Sequence, residues 1–258
     1  MVAGPLQMLI LARDSPFFET DMKERDSLFR DPQQIVDFAF DARVVEVFPD
    51  MIRRSIPGYD TIIPVSGLIL ADHLNDGDIC YDLGCSLGAT ALAITQRLRD
   101  KRCRIIGIDN SQAMLEKART LLKHPDVEFQ QGDIRHFDFL PAHAAVMNFT
   151  LQFIPPEERP ALLNSIYASL QPGALLLISE KIIWEDESEE SYFNAIHQQY
   201  KMANGYSELE VSQKRAALEK VMIIDSLETH QKRLHQAGFS TVQIWFRCLN
   251  WASILAFK

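Results

Sequence analysis

The sequence predicts an α/β fold with a mostly parallel sheet, an antiparallel final strand and a helical cap insertion. Short apolar runs alternate along the chain with longer segments whose apolar residues recur at helical spacing, which is the pattern of consecutive βαβ units. Two apolar runs separated by a polar turn end the chain, and they predict an antiparallel hairpin. Between these parts lies a polar, mostly helical segment, residues 186–222, which a minimal βαβ repeat does not need.

Each element follows from the period of its apolar residues. Strands are predicted at residues 79–83, 103–108, 127–130, 144–147 and 174–179, with the hairpin at 241–246 and 251–257. Helices are predicted at residues 61–74, 89–98, 112–122, 155–170 and 226–237. Residues 31–48 predict one or two further helices, and Pro49, Pro57 and Gly58 are expected to break the chain after them.

The composition favours a single cytoplasmic domain that acts on small molecules. The chain has 258 residues, 47% of them hydrophobic, and no Ser/Gly/Pro-rich linker, so we expect one domain over residues 22–258 with N-terminal helices in residues 31–75. A formal charge of −9 without a cluster of Lys and Arg argues against direct binding of nucleic acid. Four cysteines without a C-x-x-C pair argue against a zinc site or a disulfide framework and fit a reducing cytoplasm.

The first 21 residues are expected to form a disordered extension. Their apolar run, residues 6–12, is too short for a membrane span, and no positive residue precedes it as in a secretory signal. Met22 is an alternative start of the chain.

The histidines do not indicate a hydrolytic or metal site. They are scattered, and no H-E-x-x-H, G-x-S-x-G or paired His/Cys arrangement occurs. We therefore predict no bound metal and assign no side chain as a catalytic acid, base or nucleophile.

The turn after the first predicted strand, from Tyr81 to Gly88, is the centre of the candidate site. A strand, a glycine-bearing turn and a helix in succession are expected to leave backbone N–H groups unpaired and pointing at one spot. Ser86 stands where the dinucleotide fingerprint G-x-G-x-x-G needs its second glycine, so a pyrophosphate fits poorly. The pattern D-x-G-x-x-x-G instead favours S-adenosylmethionine, which has no phosphate. The alternative is an ordinary strand-to-helix turn.

Polar residues also follow the later strands of the predicted sheet. Asp109 lies 25 residues after Gly84, where a carboxylate accepts hydrogen bonds from ribose hydroxyls; the alternative is that Asp109 or Ser111 caps the next helix, and a cap at Ser111 would leave Asp109 free. Asp133 is placed to accept a hydrogen bond from an adenine amino group, or is a plain turn residue. Asn148 follows a central strand, and open parallel sheets bind ligands at those ends.

Five further residues, at three places in the chain, are also considered. Tyr59, beside a Pro-Gly turn, is either a packing residue or a ligand contact. Glu180 and Lys181 follow the fifth strand, and their opposite charges are explained if they pair. Lys214 and Arg215 in the cap either supply positive charge for a substrate carboxylate or lie on a solvated helix face next to acidic residues.

A resemblance to a known family is carried by residues 25–29, 46–52, 57–59, 81–88, 108–111, 148–153, 179–181, 203–210 and 212–215. On these stretches the chain, from about residue 23 to residue 258, resembles the carboxy-S-adenosyl-L-methionine synthases, a bacterial family of the class I S-adenosylmethionine-dependent superfamily, whose fold is Rossmann-like. The glycine turn alone indicates the superfamily, whereas the cap segment is peculiar to this family.

The resemblance implies a set of binding residues. The nucleoside and amino-acid parts of S-adenosylmethionine would be held by Tyr59, Gly84, Cys85, Ser86, Asp109, Asn110, Asp133, Ile134 and Asn148. Arg215 would hold the carboxylate of the product, carboxy-S-adenosylmethionine, because a guanidinium selects a carboxylated ligand over one with a plain methyl group. The family is dimeric, so this arginine can act in the partner's cleft.

The resemblance also implies a reaction. S-adenosylmethionine and prephenate become carboxy-S-adenosylmethionine and phenylpyruvate: prephenate aromatises and releases CO₂ with a basic equivalent, and the base takes a proton from the sulfonium methyl. The resulting ylide attacks CO₂, which requires that water be excluded. The product supplies another enzyme that builds the 5-oxyacetic group on tRNA wobble uridine. A conventional S-adenosylmethionine-dependent methyltransferase is the alternative function, and a non-catalytic binding module is another.

Overall fold

A computed structural model describes residues 25–33 and 36–258 of the chain. The predicted extension over residues 1–21 and the alternative start at Met22 lie outside the described residues.

The strands of the described residues form an eight-stranded sheet in the order β3-β2-β1-β4-β5-β8-β7, with the short β6 paired to the end of β5. Strands β1 to β5 pair in parallel, whereas β8 is antiparallel to both β5 and β7. The predicted parallel sheet with an antiparallel final strand is therefore confirmed. The strands are β1 (Ile79–Leu83), β2 (Arg104–Asp109), β3 (Val127–Gln131), β4 (Ala142–Asn148), β5 (Leu170–Ile183), β6 (Asp225–Ser226), β7 (Thr241–Cys248) and β8 (Trp251–Phe257).

Helices cover both faces of the sheet. Apolar residues of α5 and α8 pack on one face and those of α2 and α3 on the other. Among the residues described, no helix is long and apolar enough to cross a bilayer. The helices are α1 (Ala42–Ser55), α2 (Tyr59–His73), α3 (Ala89–Thr95), α4 (Gln112–Leu121), α5 (Arg159–Ser169), α6 (Glu187–Ala203), α7 (Glu208–Leu218) and α8 (Leu227–Ala237), with 3₁₀ turns at Ile134–His136 and Leu151–Phe153.

The N-terminal helix differs from its prediction. Residues 36–40 are not helical, and α1 begins after Asp41, whose side chain accepts hydrogen bonds from the first turn. The expected break at Pro49 is wrong, because the helix continues through that residue to Ser55. A proline removes one N–H from a helix, and burial of the apolar face that contains Val45 and Met51 offsets this loss. The break expected at Pro57 and Gly58 is confirmed, since these residues separate α1 from α2 and the φ of Gly58 is +84°.

The insertion after β5 forms α6 and α7. Asp186 caps α6, and Ser207 and Glu210 form a capping box at the start of α7. The far end of α7 contacts the segment that precedes α1, since the Phe38 N–H donates to the Ala217 carbonyl at 3.0 Å. The cap and the N-terminal segment therefore lie together over the carboxyl edge of the sheet.

Candidate active site

A cavity of about 500 Å³ lies at the carboxyl ends of β1, β2 and β4. The N-terminal segment and helices α1, α2, α6 and α7 form its other walls. All the nucleoside-binding residues that the resemblance implies line this cavity: Tyr59, Gly84, Cys85, Ser86, Asp109, Asn110, Asp133, Ile134 and Asn148. Their proposed contacts with a ligand stay predictions.

Three N–H groups at the start of the glycine turn are already paired within the protein. The N–H groups of Gly84 and Cys85 both donate to the Ile108 carbonyl, at 2.8 and 3.0 Å, and the Ser86 N–H donates to a carboxylate oxygen of Asp109 at 2.8 Å. The expectation of unpaired N–H groups is wrong for these three residues, because the end of β2 and the residue after Ile108 satisfy them. Gly84 has a φ of +76°, and a Cβ there would clash with the side chain of Thr150.

Asp109 is more constrained than the sequence suggested. Ser111 does cap α4, but Asp109 is not left free, since its oxygens accept from the Ser86 N–H and from the Ser111 N–H at 2.9 Å. Each carboxylate oxygen retains a second lone pair for a ligand hydroxyl. Burial raises the pKa of Asp109, and the backbone hydrogen bonds oppose that shift.

Asp133 lies at the start of the 3₁₀ turn with Ile134 behind it, and both line the cavity. The guanidinium of Arg135 binds the Asp133 carboxylate, with Nε to Oδ1 at 2.9 Å, and also contacts Glu158 at 2.9 Å. This hydrogen bonding lowers the pKa of Asp133, so the carboxylate is ionised at neutral pH.

Asn148 carries a buried acceptor without a partner. Its Nδ2 donates to the Thr90 hydroxyl at 3.0 Å, while its Oδ1 has no hydrogen-bond partner in the described part of the chain. A buried polar atom without a partner is costly unless a ligand supplies one. The Oδ1 atom is therefore suited to accept from an amino group of a bound ligand, which fits S-adenosylmethionine.

The packing interpretation of Tyr59 is confirmed, and its contact with a ligand stays a prediction. Tyr59 lies at the start of α2, packs with its ring centroid 6.1 Å from that of Phe149, and lines the cavity.

Asp82 is a cavity residue that the sequence analysis missed as a site residue. It is buried at the end of β1 and accepts a hydrogen bond from the Ala91 N–H at 3.2 Å, which fixes α3 against the glycine turn. Burial raises the pKa of Asp82 to about 7. The acidic first position of the D-x-G pattern is the signal that could have indicated it.

Glu180 and Lys181 do not pair. Glu180 accepts from the N–H groups of Thr150, Leu151 and Gln152 at 2.7 to 3.1 Å, and so holds the turn after β4. Lys181 instead lines the cavity, and the residues described include no carboxylate within ion-pair distance of it. Burial lowers the pKa of Lys181.

The cap adds two more lysines to this wall, the buried Lys214 and the half-buried Lys201. Lys214 is only 6% exposed, so the solvated-face interpretation is wrong for it; its Nζ donates to the Ser55 hydroxyl at 2.9 Å. Lys201 of α6 also lines the cavity. His197 lies one turn before Lys201, and its Nε2 binds the Ser55 carbonyl at 2.8 Å, so the neutral ring donates there. Burial lowers the pKa of His197 to about 3.

Arg215 lies outside the cavity of its own chain. It is exposed on α7 and borders a separate shallow depression. A single chain thus does not bring Arg215 together with the predicted nucleoside-binding residues, and its role in holding a carboxylate stays a prediction.

Comparisons with known proteins place this geometry in context. The methyltransferase domain family matches residues 80–173. Human N-acetylserotonin methyltransferase, solved in complex with SAM, aligns with 84% of this chain and 55% of its own at a TM-score of 0.58 and 17% identity. Phosphoethanolamine N-methyltransferase 2 of Haemonchus contortus aligns with 76% of this chain and 52% of its own at a TM-score of 0.53 and 16% identity.

Curated relatives match almost the whole chain. Proteins named carboxy-S-adenosyl-L-methionine synthase are 48% identical to it in Chromohalobacter salexigens, over 93% of this chain and 90% of the relative, and in Geobacter sp., over 92% and 99%. The protein of that name in Escherichia coli is also 48% identical, over 92% of this chain and 98% of its own length.

The strand order and the cavity at the carboxyl edge define a class I S-adenosylmethionine-dependent methyltransferase fold. Within that class, the identity and coverage of the curated relatives show that the chain belongs to the carboxy-S-adenosyl-L-methionine synthase family.

Proposed function

We propose that this protein converts S-adenosylmethionine and prephenate into carboxy-S-adenosylmethionine and phenylpyruvate. Identity of 48% to synthases of that name, across nearly the full length of both chains, carries the proposal. The cavity supports it. One side has acidic residues and the Asn148 Oδ1 atom, which lacks a partner among the described residues and suits a sulfonium nucleoside. The other side has lysines suited to a carboxylate-bearing substrate.

The reaction balances without a protein base. Prephenate loses CO₂ and its ring hydroxide as the ring becomes aromatic, and the hydroxide takes a proton from the sulfonium methyl to give water. The methyl carbon then forms a bond to CO₂, and the net positive charge of the first substrate is cancelled by the new carboxylate. Walls from the cap and from the N-terminal segment support the exclusion of water that this step needs.

The proposal extends to assembly and to the use of the product. Arg215 is exposed on α7 in a single chain, so we propose a homodimer in which it holds the product carboxylate in the partner's cavity. Exposed Leu209 at the start of the same helix supports a contact there. The product would serve tRNA wobble uridine modification in the cytoplasm by another enzyme, with no direct binding of nucleic acid by this one.

Mass spectrometry of the reaction products tests the proposal. The purified protein, incubated with S-adenosylmethionine and prephenate, is expected to yield a nucleoside heavier by the mass of CO₂, together with phenylpyruvate. S-adenosylhomocysteine and a methylated product would instead identify a conventional methyltransferase. If neither set of products forms, a non-catalytic binding module is favoured.

A further inference from the structure

The charges of the cavity lysines are not equally compensated by the protein. Lys214 has Asp26 at 3.7 Å and the Ser55 hydroxyl at 2.9 Å, so its charge is compensated. Lys181 experiences one negative charge, that of Glu190, which raises its pKa against the effect of burial. Both lysines thus have a negative charge nearby.

Lys201 has no such compensation within the part of the chain that the structure describes. No hydrogen bond or ion pair joins its ammonium to another group among residues 25–33 and 36–258. Burial and nearby charges together lower the pKa of Lys201 to about 7, and burial has the larger effect. The charges that act on it are all positive: Lys181 from β5, and Lys214 and Arg215 from α7. His197, one turn earlier on α6, is neutral and directs its Nε2 toward the Ser55 carbonyl.

A buried cation that faces only other cations is expensive unless an anion joins it. The space beside it is a cavity open to ligands, and an incoming carboxylate would restore both the charge and the missing hydrogen-bond acceptor. We propose that Lys201, assisted by Lys181, binds the carboxylate of the second substrate that stays in the product. This inference rests on the proposed function, in which that substrate is the dicarboxylate prephenate.

The chemistry selects which of the two carboxylates binds there. The ring carboxylate leaves as neutral CO₂, so a cation bound to it would stabilise the substrate more than the transition state and slow the reaction. The carboxylate of the pyruvyl side chain keeps its charge throughout, so binding it anchors the substrate without raising the barrier. The lysines therefore hold the end of the substrate that becomes phenylpyruvate.

Calorimetry with a matched pair of ligands tests this assignment. Phenylpyruvate and phenylacetone, in which a methyl group replaces the carboxylate, are titrated into protein saturated with S-adenosylmethionine. In the wild type we expect phenylpyruvate to bind at least about tenfold more tightly. Lys201→Met should abolish that difference, Lys201→Arg should keep most of it, and Lys220→Met, which removes an exposed charge outside the cavity, should not change it.

Steady-state kinetics and the pH dependence of phenylpyruvate binding provide two further measurements that a purely structural role of Lys201 would leave unchanged. Lys201→Met should raise the KM for prephenate at least about tenfold and change kcat less than about threefold. The wild-type dissociation constant for phenylpyruvate should rise as the pH increases above about 7, since Lys201 then loses its proton. Lys181 and Lys214 still titrate in Lys201→Met, so the pH dependence that is lost in this variant belongs to Lys201.

The outcomes separate the subsite from the function. If the wild type makes carboxy-S-adenosylmethionine but Lys201→Met binds phenylpyruvate as the wild type does, the subsite is overturned and the function stands. A raised KM for prephenate with unchanged phenylpyruvate binding would assign Lys201 to the leaving carboxylate and also overturn the proposal. A wild type that produces no carboxy-S-adenosylmethionine overturns the function and the subsite together.

Discussion

Before a ligand binds, the two sides of the cavity differ in how far their charged groups have partners within the protein. At the sheet edge, the two carboxylates already have partners: Asp109 accepts from two backbone N–H groups, and Asp133 is bound by Arg135. At the cap wall, the described residues offer Lys201 no partner, and its neighbours are positive. The carboxylates of the sheet edge are thus compensated before a ligand binds, whereas the ammonium of Lys201 on the cap wall needs an anionic ligand to compensate its charge.

This difference teaches how one cavity can serve two substrates of opposite charge. A sulfonium nucleoside needs shape and a few acceptors, which a rigid turn supplies without much reorganisation. A dianion needs positive charge, and an uncompensated ammonium gives a large gain on binding because the cost of burying it is present beforehand. Mutations on the two sides should therefore have opposite effects on the stability of the ligand-free protein.

The largest effect is expected at the sheet edge, from Gly84→Ala. A Cβ at this residue would meet the Thr150 side chain, and the φ of +76° adds strain. We expect the affinity for S-adenosylmethionine to fall about 100-fold, or about 3 kcal/mol, as measured by calorimetry.

The matched control for that variant is Gly77→Ala. Gly77 has a φ of +84°, but a Cβ there would meet no atom within 4 Å, so this variant reports the backbone strain alone. It should lower the free energy of unfolding by about 1 kcal/mol and leave ligand binding unchanged. Equal ligand affinity in Gly84→Ala and Gly77→Ala would contradict the view of the turn as a shaped cradle.

A smaller effect is expected from Arg215→Ala. If the exposed guanidinium completes a partner's site, the variant should bind S-adenosylmethionine normally but lose about tenfold or more in affinity for the carboxylated product. Arg43→Ala, which removes a guanidinium that is 76% exposed, is the control. A wild type that binds both ligands equally, by calorimetry, would argue against any such role for Arg215.

The sheet edge could be predicted from the sequence because its signals are local. Strand ends in a parallel sheet meet at one edge, so Gly84, Asp109 and Asn148 are brought together once the strands are assigned. What local patterns do not reveal is hydrogen bonding between strand ends, as between the Gly84 N–H and the Ile108 carbonyl.

The cap wall was harder to predict because its contacts are long-range. Lys214 is surrounded in sequence by acidic residues, which favoured a solvated face, yet it binds Ser55, 159 residues earlier in the chain. No role was predicted for Lys201 from the sequence. A signal was present in its spacing, since His197 and Lys201 stand four residues apart and so share a face of α6.

The smallest effect is expected for the free energy of unfolding of ligand-free Lys201→Met. This variant should gain stability, in contrast to the variants at the sheet edge. The pKa of Lys201 is about 7 in the folded protein, below that of an exposed lysine, so the folded state binds fewer protons than the unfolded state between these values. Burying the charged form costs stability below pH 7, and wild-type stability rises as the pH increases through 7.

The variant should therefore be more stable than the wild type at pH 6 by on the order of 1 kcal/mol, and the gain should shrink by pH 8.5. Thermal unfolding at both pH values measures it, with Lys220→Met expected within about 0.5 kcal/mol of the wild type at each. A variant that is less stable at pH 6 would mean that the lysine supports the fold, and the contrast between a satisfied sheet edge and an uncompensated cap wall would fail.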